Sequence, residues 1–336
     1  MLFLFLGRPR MTSKMLPHSI YMSRDRTTMI NGLFIWLVFV RHMLAYKYNV
    51  PEIDQPIKWL NTQTGQLIVA PFFFFSGYGI MISLQKKQSE YAKSLLFKRF
   101  PSLLLQMTVA VSAFWIVQRY YGFHANVERI LLSFIGWSTL GNSNWFIYIT
   151  LSSYLIIAFS YILFKKAGNF TVVSSVAVMQ LILMYYTHDV GGRGAYWIDS
   201  CLCIPAGMLF CLKHDYLERL LSNIPVPVWI FSIAGVILAM IMYWLPCMNG
   251  YTKNIPCILF ALSICMFFSC VSFAKHPNFL SFLGGAGLFY LYIYQRIPML
   301  IGVNEGWNKS PYLYELICIL ITFVIAKCLT KENNNK

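Results

Sequence analysis

Residues 27–48 read TTMINGLFIWLVFVRHMLAYKY, and this stretch decides the fold. Two threonines able to cap a helix precede a run that is apolar from Leu33 to Val40, and Arg41 and His42 then fall inside the hydrophobic segment. An ionisable group at membrane depth costs about 2.5–3.5 kcal/mol on insertion scales, so it marks a functional candidate. His42 is the candidate catalytic residue. His18, His124, His188, His214 and His276 fall in predicted loops or tails, where a solvated imidazole needs no explanation. The alternative for His42 is a packing histidine with satisfied partners. Arg41, about 100° round the helix, reads as snorkelling to headgroups.

The whole composition agrees with a membrane-embedded reading. The chain is 58% hydrophobic and 12% charged, which excludes an ordinary soluble domain. Several apolar runs approach the roughly 20 residues needed to cross a bilayer. A net charge of +15 raises nucleic acid as a partner, but the lysines and arginines sit in short clusters between apolar runs, as cytoplasmic loops do. The lipid bilayer is the expected partner, and nucleic acid is not. The cysteines lie in or beside apolar runs without zinc-type spacing, so they read as packing residues, with no metal and no disulfide inferred.

In chain order, residues 1–26 read as a basic cytoplasmic tail whose opening apolar stretch is too short for a signal-peptide core. Residues 27–329 form the transmembrane domain, and 330–336 a polar C-terminal tail. Spans are expected near 28–46, 67–84, 102–117, 145–164, 170–187, 196–212, 226–245, 255–273, 280–301 and 312–328. A mixed-charge loop with Glu52, Asp54 and Lys58 separates the first two, and a basic loop with Lys86, Lys87, Lys93, Lys98 and Arg99 follows the second. The apolar piece at 130–140 is too short for a normal crossing. Read as re-entrant or interfacial, it leaves Lys165, Lys213, Lys275 and Lys327 on the side of the N-terminus, as the positive-inside rule asks. The expected fold is all-α: a polytopic helical bundle of about ten transmembrane helices plus one short re-entrant or interfacial helix, both termini cytoplasmic. His42 then lies roughly 20 Å along its helix from Thr28, in the outer half of the membrane.

Taken in order, these features resemble the acyltransferase-3 type membrane O-acyltransferases, which include bacterial O-acetyltransferases of surface glycans. The resemblance runs from Arg24 to about Lys327. It rests on NGLFIWLVFVRH ending at His42, the aromatic run ending in Ser76-Gly77-Tyr78, Lys98-Arg99-Phe100-Pro101 and Asn144-Trp145-Phe146. It continues through Trp197-Ile198-Asp199-Ser200 with Pro205-Ala206-Gly207-Met208, Leu283-Gly284, and Tyr292-Ile293-Tyr294-Gln295-Arg296-Ile297-Pro298. The family commonly places an arginine eleven residues before the histidine; this chain has Asn31 there, a hydrogen-bonding group without charge, and Arg24 or Arg26 can substitute from the helix entrance.

The resemblance implies a bacterial inner-membrane enzyme that moves acetyl from cytoplasmic acetyl-CoA, without a metal, to a sugar hydroxyl of a surface polysaccharide or its lipid-linked precursor. It implies His42 as base or acyl carrier, with Asn31 on the same helix face. Tyr78 or Ser76 would supply an oxyanion donor. Lys98, Arg99, Lys86, Arg24 and Arg26 would hold the CoA phosphates. Trp145, Asn144, Asp199, Gln295 and Arg296 would meet the glycan acceptor, although Asp199, Arg296 and Glu315 can also belong to structural ion pairs. The competing class is a transporter or flippase of lipid-linked sugars, for which paired broken helices or an internal repeat are expected; neither is visible in the sequence.

Overall fold

The computed structural model describes residues 9–12, 14–222, 226–273 and 278–334; Lys275 and His276 lie outside them. The fold is all-α apart from one small ribbon. Five helical runs are long and apolar enough to cross a bilayer: Arg24–Tyr46, Ala70–Tyr120, Asn144–Ala167, Asn169–Val190 and Pro311–Thr330. Two further apolar helices, Val228–Tyr243 and Asn254–Ser269, are shorter. These lengths and compositions mark a helical membrane protein.

The first long helix, α2 (Arg24–Tyr46), follows a single-turn α1 (His18–Tyr21). Its cap is not the threonine pair but Ser23, whose Oγ accepts from the Arg26 amide at 3.4 Å. Thr27 turns its hydroxyl back onto the Ser23 carbonyl, the local bond that hydroxyl side chains make inside helices. The mixed-charge segment is not a plain loop, because Gln55–Thr64 forms α3, with Pro56 in its first turn where a missing N–H costs nothing. Ile57, Trp59 and Leu60 are exposed on it, as on an interfacial helix. Arg41 does not snorkel outward. It donates to the carbonyls of Asn61, at 3.0 Å, and Gly65, holding the end of α3.

The long run Ala70–Tyr120 is interrupted at Gln88, whose φ of 46° lies in a region that non-glycine residues rarely adopt. It comprises α4 (Ala70–Ser94), which kinks at Gln88, a π-turn at Leu95–Arg99, and α5 (Phe100–Tyr120). The expected short piece is α6 (Val127–Phe134), eight residues or roughly 12 Å long, too short to cross. After it come α7 (Asn144–Phe164), α8 (Asn169–Tyr185), α9 (Cys203–Ser222), α10 (Val228–Tyr243) and α11 (Asn254–Ser269).

The stretch expected as one span at 280–301 is three helices: α12 (Asn278–Gly284), α13 (Leu288–Tyr294) and α14 (Arg296–Asn304). Gly285 and Gly287 loosen the first junction. Near the second, Pro298 has no N–H to give the Tyr294 carbonyl. The last helix, α15 (Pro311–Asn334), closes the bundle.

Glycine sets two close crossings. A Cβ on Gly284 would overlap the Thr28 carbonyl and the Gly32 amide, and one on Gly32 would overlap the Leu280 carbonyl. In the same way Gly77 abuts the Ile204 carbonyl and Gly207 the Phe74 carbonyl, so α4 and α9 touch backbone to backbone. Seven of the nine cysteines are buried in this packing, while Cys247 and Cys328 are exposed.

The N-terminal segment is docked rather than a free tail over the residues described. Strand β1 (Pro9–Met11) pairs antiparallel with β2 (Val271–Phe273), and the Leu16 amide donates to Ser269. His18 is half-buried, not solvated: its ring stacks on His214 at 3.7 Å, and its Nε2 lies 3.2 Å from the Tyr78 hydroxyl. Tyr21 donates to Glu218 at 2.6 Å. Burial, and then the neighbouring His214, hold the His18 imidazole below its ordinary value, against the opposing pull of Glu218 and Asp215.

Two outcomes follow from this packing. Gly284→Ala should lower the thermal midpoint of the detergent-purified protein, since overpacking costs about 1–3 kcal/mol. Gly79→Ala, with open space around its Cβ, should be neutral or stabilising by up to about 1 kcal/mol; equal behaviour of the two contradicts the crossing. Because His18 binds its proton more weakly when docked, docking is complete above about pH 6.5 and weakens as pH falls below it. The hydrogen-exchange protection factors of residues 14–22 should therefore fall as pH drops below about 6.5, and His18→Phe should remove that dependence.

Candidate active site

Asn31 and His42 are eleven residues apart on α2, close to three turns, so they share one face roughly 16 Å apart along the axis. Level with Asn31 the bundle holds a cavity of about 170 Å³. Its walls are Asn31 and Ile35 of α2, Phe72 and Ser76 of α4, Leu103 of α5, Phe146, Thr150 and Tyr154 of α7, and Leu288 and Tyr292 of α13. Ser76 is exposed although residues 70–75 before it are all buried, because its side chain faces this opening.

Toward the C-terminal end of α2, the break between α13 and α14 brings Gln295 and Arg296 to His42. Gln295 is next to the imidazole, with Arg296 and Arg41 as the adjacent cations. Gln295 Nε2 donates to the Tyr292 carbonyl at 2.9 Å and Arg296 Nη1 to the Gly141 carbonyl at 3.3 Å. That leaves the amide oxygen of one and the Nε of the other unused. Asn31 Oδ1, His42 Nδ1, Asp199 Oδ1, Gln295 Oε1 and Arg296 Nε are all buried without a hydrogen-bond partner. They are five of ten such side-chain atoms among the described residues, which singles out this set within the interior. Buried polar groups held unsatisfied are ready to meet a ligand or a reacting proton.

Asp199 lies just before α9, and its Oδ2 accepts from Tyr243 at 2.6 Å. Arg41 and Lys253 are the cations that act on it. The Gln66 amide also meets the Tyr243 hydroxyl, at 3.4 Å. Asp199 thus belongs to a buried polar cluster with Tyr243, neighbouring Arg41 and so the residue beside His42. Glu315, by contrast, is spent on Lys47, which it shares with Asp54.

The expected cation cluster divides. Arg24, Lys86, Lys98 and Arg99 are exposed. Arg99 lies 4.9 Å over the Tyr91 ring and within reach of Tyr154, so it connects to the cavity wall. Arg26 is buried, donating to the Phe268 and Val271 carbonyls at 3.3 and 2.5 Å, and is part of the structure that docks β2. A separate polar pocket of about 420 Å³ lies between Gln85, Gln88, Tyr161, Lys165, Lys166 and Asn169.

Three expected roles are not supported by placement. Tyr78 sits on the opposite side of α4 from Ser76, with its hydroxyl at His18, so Ser76 alone of the two meets the cavity. Asn144 is fully occupied: its amide donates to the Ser133 and Ser138 carbonyls at 3.1 and 2.7 Å, and its oxygen accepts from Asn142. It ties the loop after α6 to the start of α7. Trp145 is buried between Phe73, Phe146 and Tyr196.

Sequence reasoning missed Tyr154, Thr150 and Tyr243 as site residues. The spacing Ile147, Thr150, Tyr154 is one helical face, a signal present in the chain but indistinguishable from ordinary packing.

No family model, no characterised protein and no solved structure matches the chain.

The cavity itself is testable by access. In a background lacking native reactive cysteines, Ser76→Cys should react with a small neutral thiol reagent and Phe74→Cys, fully buried, should not. Equal rates would contradict an opening at Ser76.

Proposed function

We propose that this chain is an integral membrane O-acyltransferase that moves an acetyl group from cytoplasmic acetyl-CoA to a sugar hydroxyl of a cell-surface polysaccharide or its lipid-linked precursor. The observation that carries the reading is the alignment of the Asn31 and Ser76 cavity with His42, Gln295 and Arg296 along one face of α2. The ordered set of motifs that resembles acyltransferase-3 proteins supports it.

The reading includes about ten spans in a bacterial cytoplasmic membrane with both termini cytoplasmic, α6 lying at the interface. The donor enters at the end where Arg24, Lys86, Lys98 and Arg99 are exposed, and its phosphates meet these cations. The pantetheine arm threads the cavity past Asn31 and Ser76, so that its thioester end is carried along α2 toward His42. A neutral His42 takes the proton of the attacking hydroxyl, the hydroxyl oxygen bonds to the acyl carbon, and the CoA thiolate leaves and takes a proton. In the two-step alternative the imidazole first carries the acyl group and then yields it to the sugar. Gln295, Arg296 and Arg41 stand beside the imidazole. Asn31 offers a hydrogen bond in place of the family's cation.

The decisive assay is radiolabel transfer from acetyl-CoA to native glycan in membranes holding wild type or His42→Ala at equal insertion. Wild type should transfer label, and His42→Ala should lose about 10²-fold or more. No transfer by wild type with the acceptor present would favour the transporter class. Full activity of His42→Ala would remove His42 from the chemistry.

A further inference from the structure

At the end of the bundle opposite the exposed lysines, the loop between α8 and α9 folds an arginine into an aromatic niche. The guanidinium of Arg193 lies 4.5 Å from the Trp137 ring and 5.4 Å from Trp197. These two indoles meet edge to face, 6.0 Å apart, and Tyr148 packs against both. The loop is fixed: the Arg193 amide donates to Thr187, its carbonyl meets His188 Nδ1 at 2.6 Å, and Gly191 leaves no room for a side chain beside Trp137.

What the niche lacks is an anion. No carboxylate among the described residues forms an ion pair with Arg193, and its Nε is buried without a hydrogen-bond partner. Both indole rings lie beside the guanidinium centre, and its five N–H bonds, all in one plane, suit a planar oxyanion. A chain of ring contacts also runs from the niche to the cavity wall. Trp197 touches Tyr196 at 6.5 Å, Tyr196 touches Trp145 at 6.1 Å, and Trp145 touches Phe146 of the cavity wall at 5.9 Å. Tyr196 is 48% exposed and presents part of its ring at the rim, a surface that suits the C–H face of a pyranose.

We infer that Arg193, framed by Trp137, Trp197 and Tyr196, is an acceptor subsite for a sugar residue that carries a carboxylate. The inference deepens the acyltransferase reading and rests on it for the word acceptor; the binding site itself does not. A lipid phosphate is an oxyanion too, but two indoles and an exposed tyrosine around one arginine favour a saccharide over a headgroup.

The test is binding to the full-length protein in nanodiscs of zwitterionic lipid, followed by tryptophan fluorescence, with no CoA thioester present. The probes are trigalacturonate and its carboxyl-reduced neutral counterpart. Trigalacturonate should bind at least about tenfold tighter than the neutral trisaccharide, the factor that one charge-assisted contact of about 1.4 kcal/mol supplies. Arg193→Gln should erase the difference while leaving the neutral sugar unchanged, Arg193→Lys should restore part of it, and Tyr196→Ala should weaken both probes. Equal binding of the two trisaccharides, or an acid preference that survives in Arg193→Gln, overturns the proposal. Displacement of trigalacturonate by an equal concentration of glycerol phosphate, in the same zwitterionic nanodiscs at constant ionic strength, assigns the site to lipid phosphate and overturns it as well. A preserved acid preference in a protein that transfers no acetyl would retain the subsite and remove the enzyme, whereas transfer indifferent to Arg193→Gln would do the reverse.

Discussion

Everything at the candidate site depends on how closely α2 and α12 approach. Gly32 and Gly284 let two helix backbones meet where any side chain would collide with a carbonyl or an amide. Because α12 is pinned there, the chain that follows runs beside α2, and its breaks at 285–287 and at Gln295 fall within the bundle. A straight helix would keep its backbone groups paired and carry Gln295 and Arg296 round to whatever face the helical period dictated. The broken one sets both against His42, and irregular backbone at such depth is tolerated where protein encloses it.

The second consequence is electrostatic. In an apolar interior a polar atom without a partner is costly, and most of those in this chain have one. Five of the ten exceptions among the described residues are on Asn31, His42, Asp199, Gln295 and Arg296, while nearby groups such as Arg41, Asn144 and Tyr243 are engaged. The protein thus spends its hydrogen bonds on holding loops and helix ends, and leaves a short line of unsatisfied groups between a cavity and the opposite end of the bundle.

Much of this was legible in the sequence because hydrophobicity and helical period are local properties. The helix of His42 and the short piece near 130 could be read directly. The N-terminal docking could not: Tyr21 with Glu218 and His18 with His214 are pairs nearly 200 residues apart, and nothing local announces them. The helix at Gln55–Thr64 was hidden by its polar residues and by the charges just before it. Tyr78 and Ser76, two residues apart, looked equivalent on paper, yet a helix turns about 200° between them and only one reaches the cavity. Arg26 and Asn144 carried functional chemistry in the sequence and structural duty in the fold.

The central claim is that one protein joins a donor on one side of a membrane to an acceptor on the other. Sealed inside-out vesicles containing the acceptor glycan only in their lumen, given labelled acetyl-CoA only outside, test it directly. The account predicts label on the lumenal glycan, and none when acetyl-CoA is instead enclosed with the glycan in the lumen. Transfer only when donor and acceptor share a compartment would contradict it.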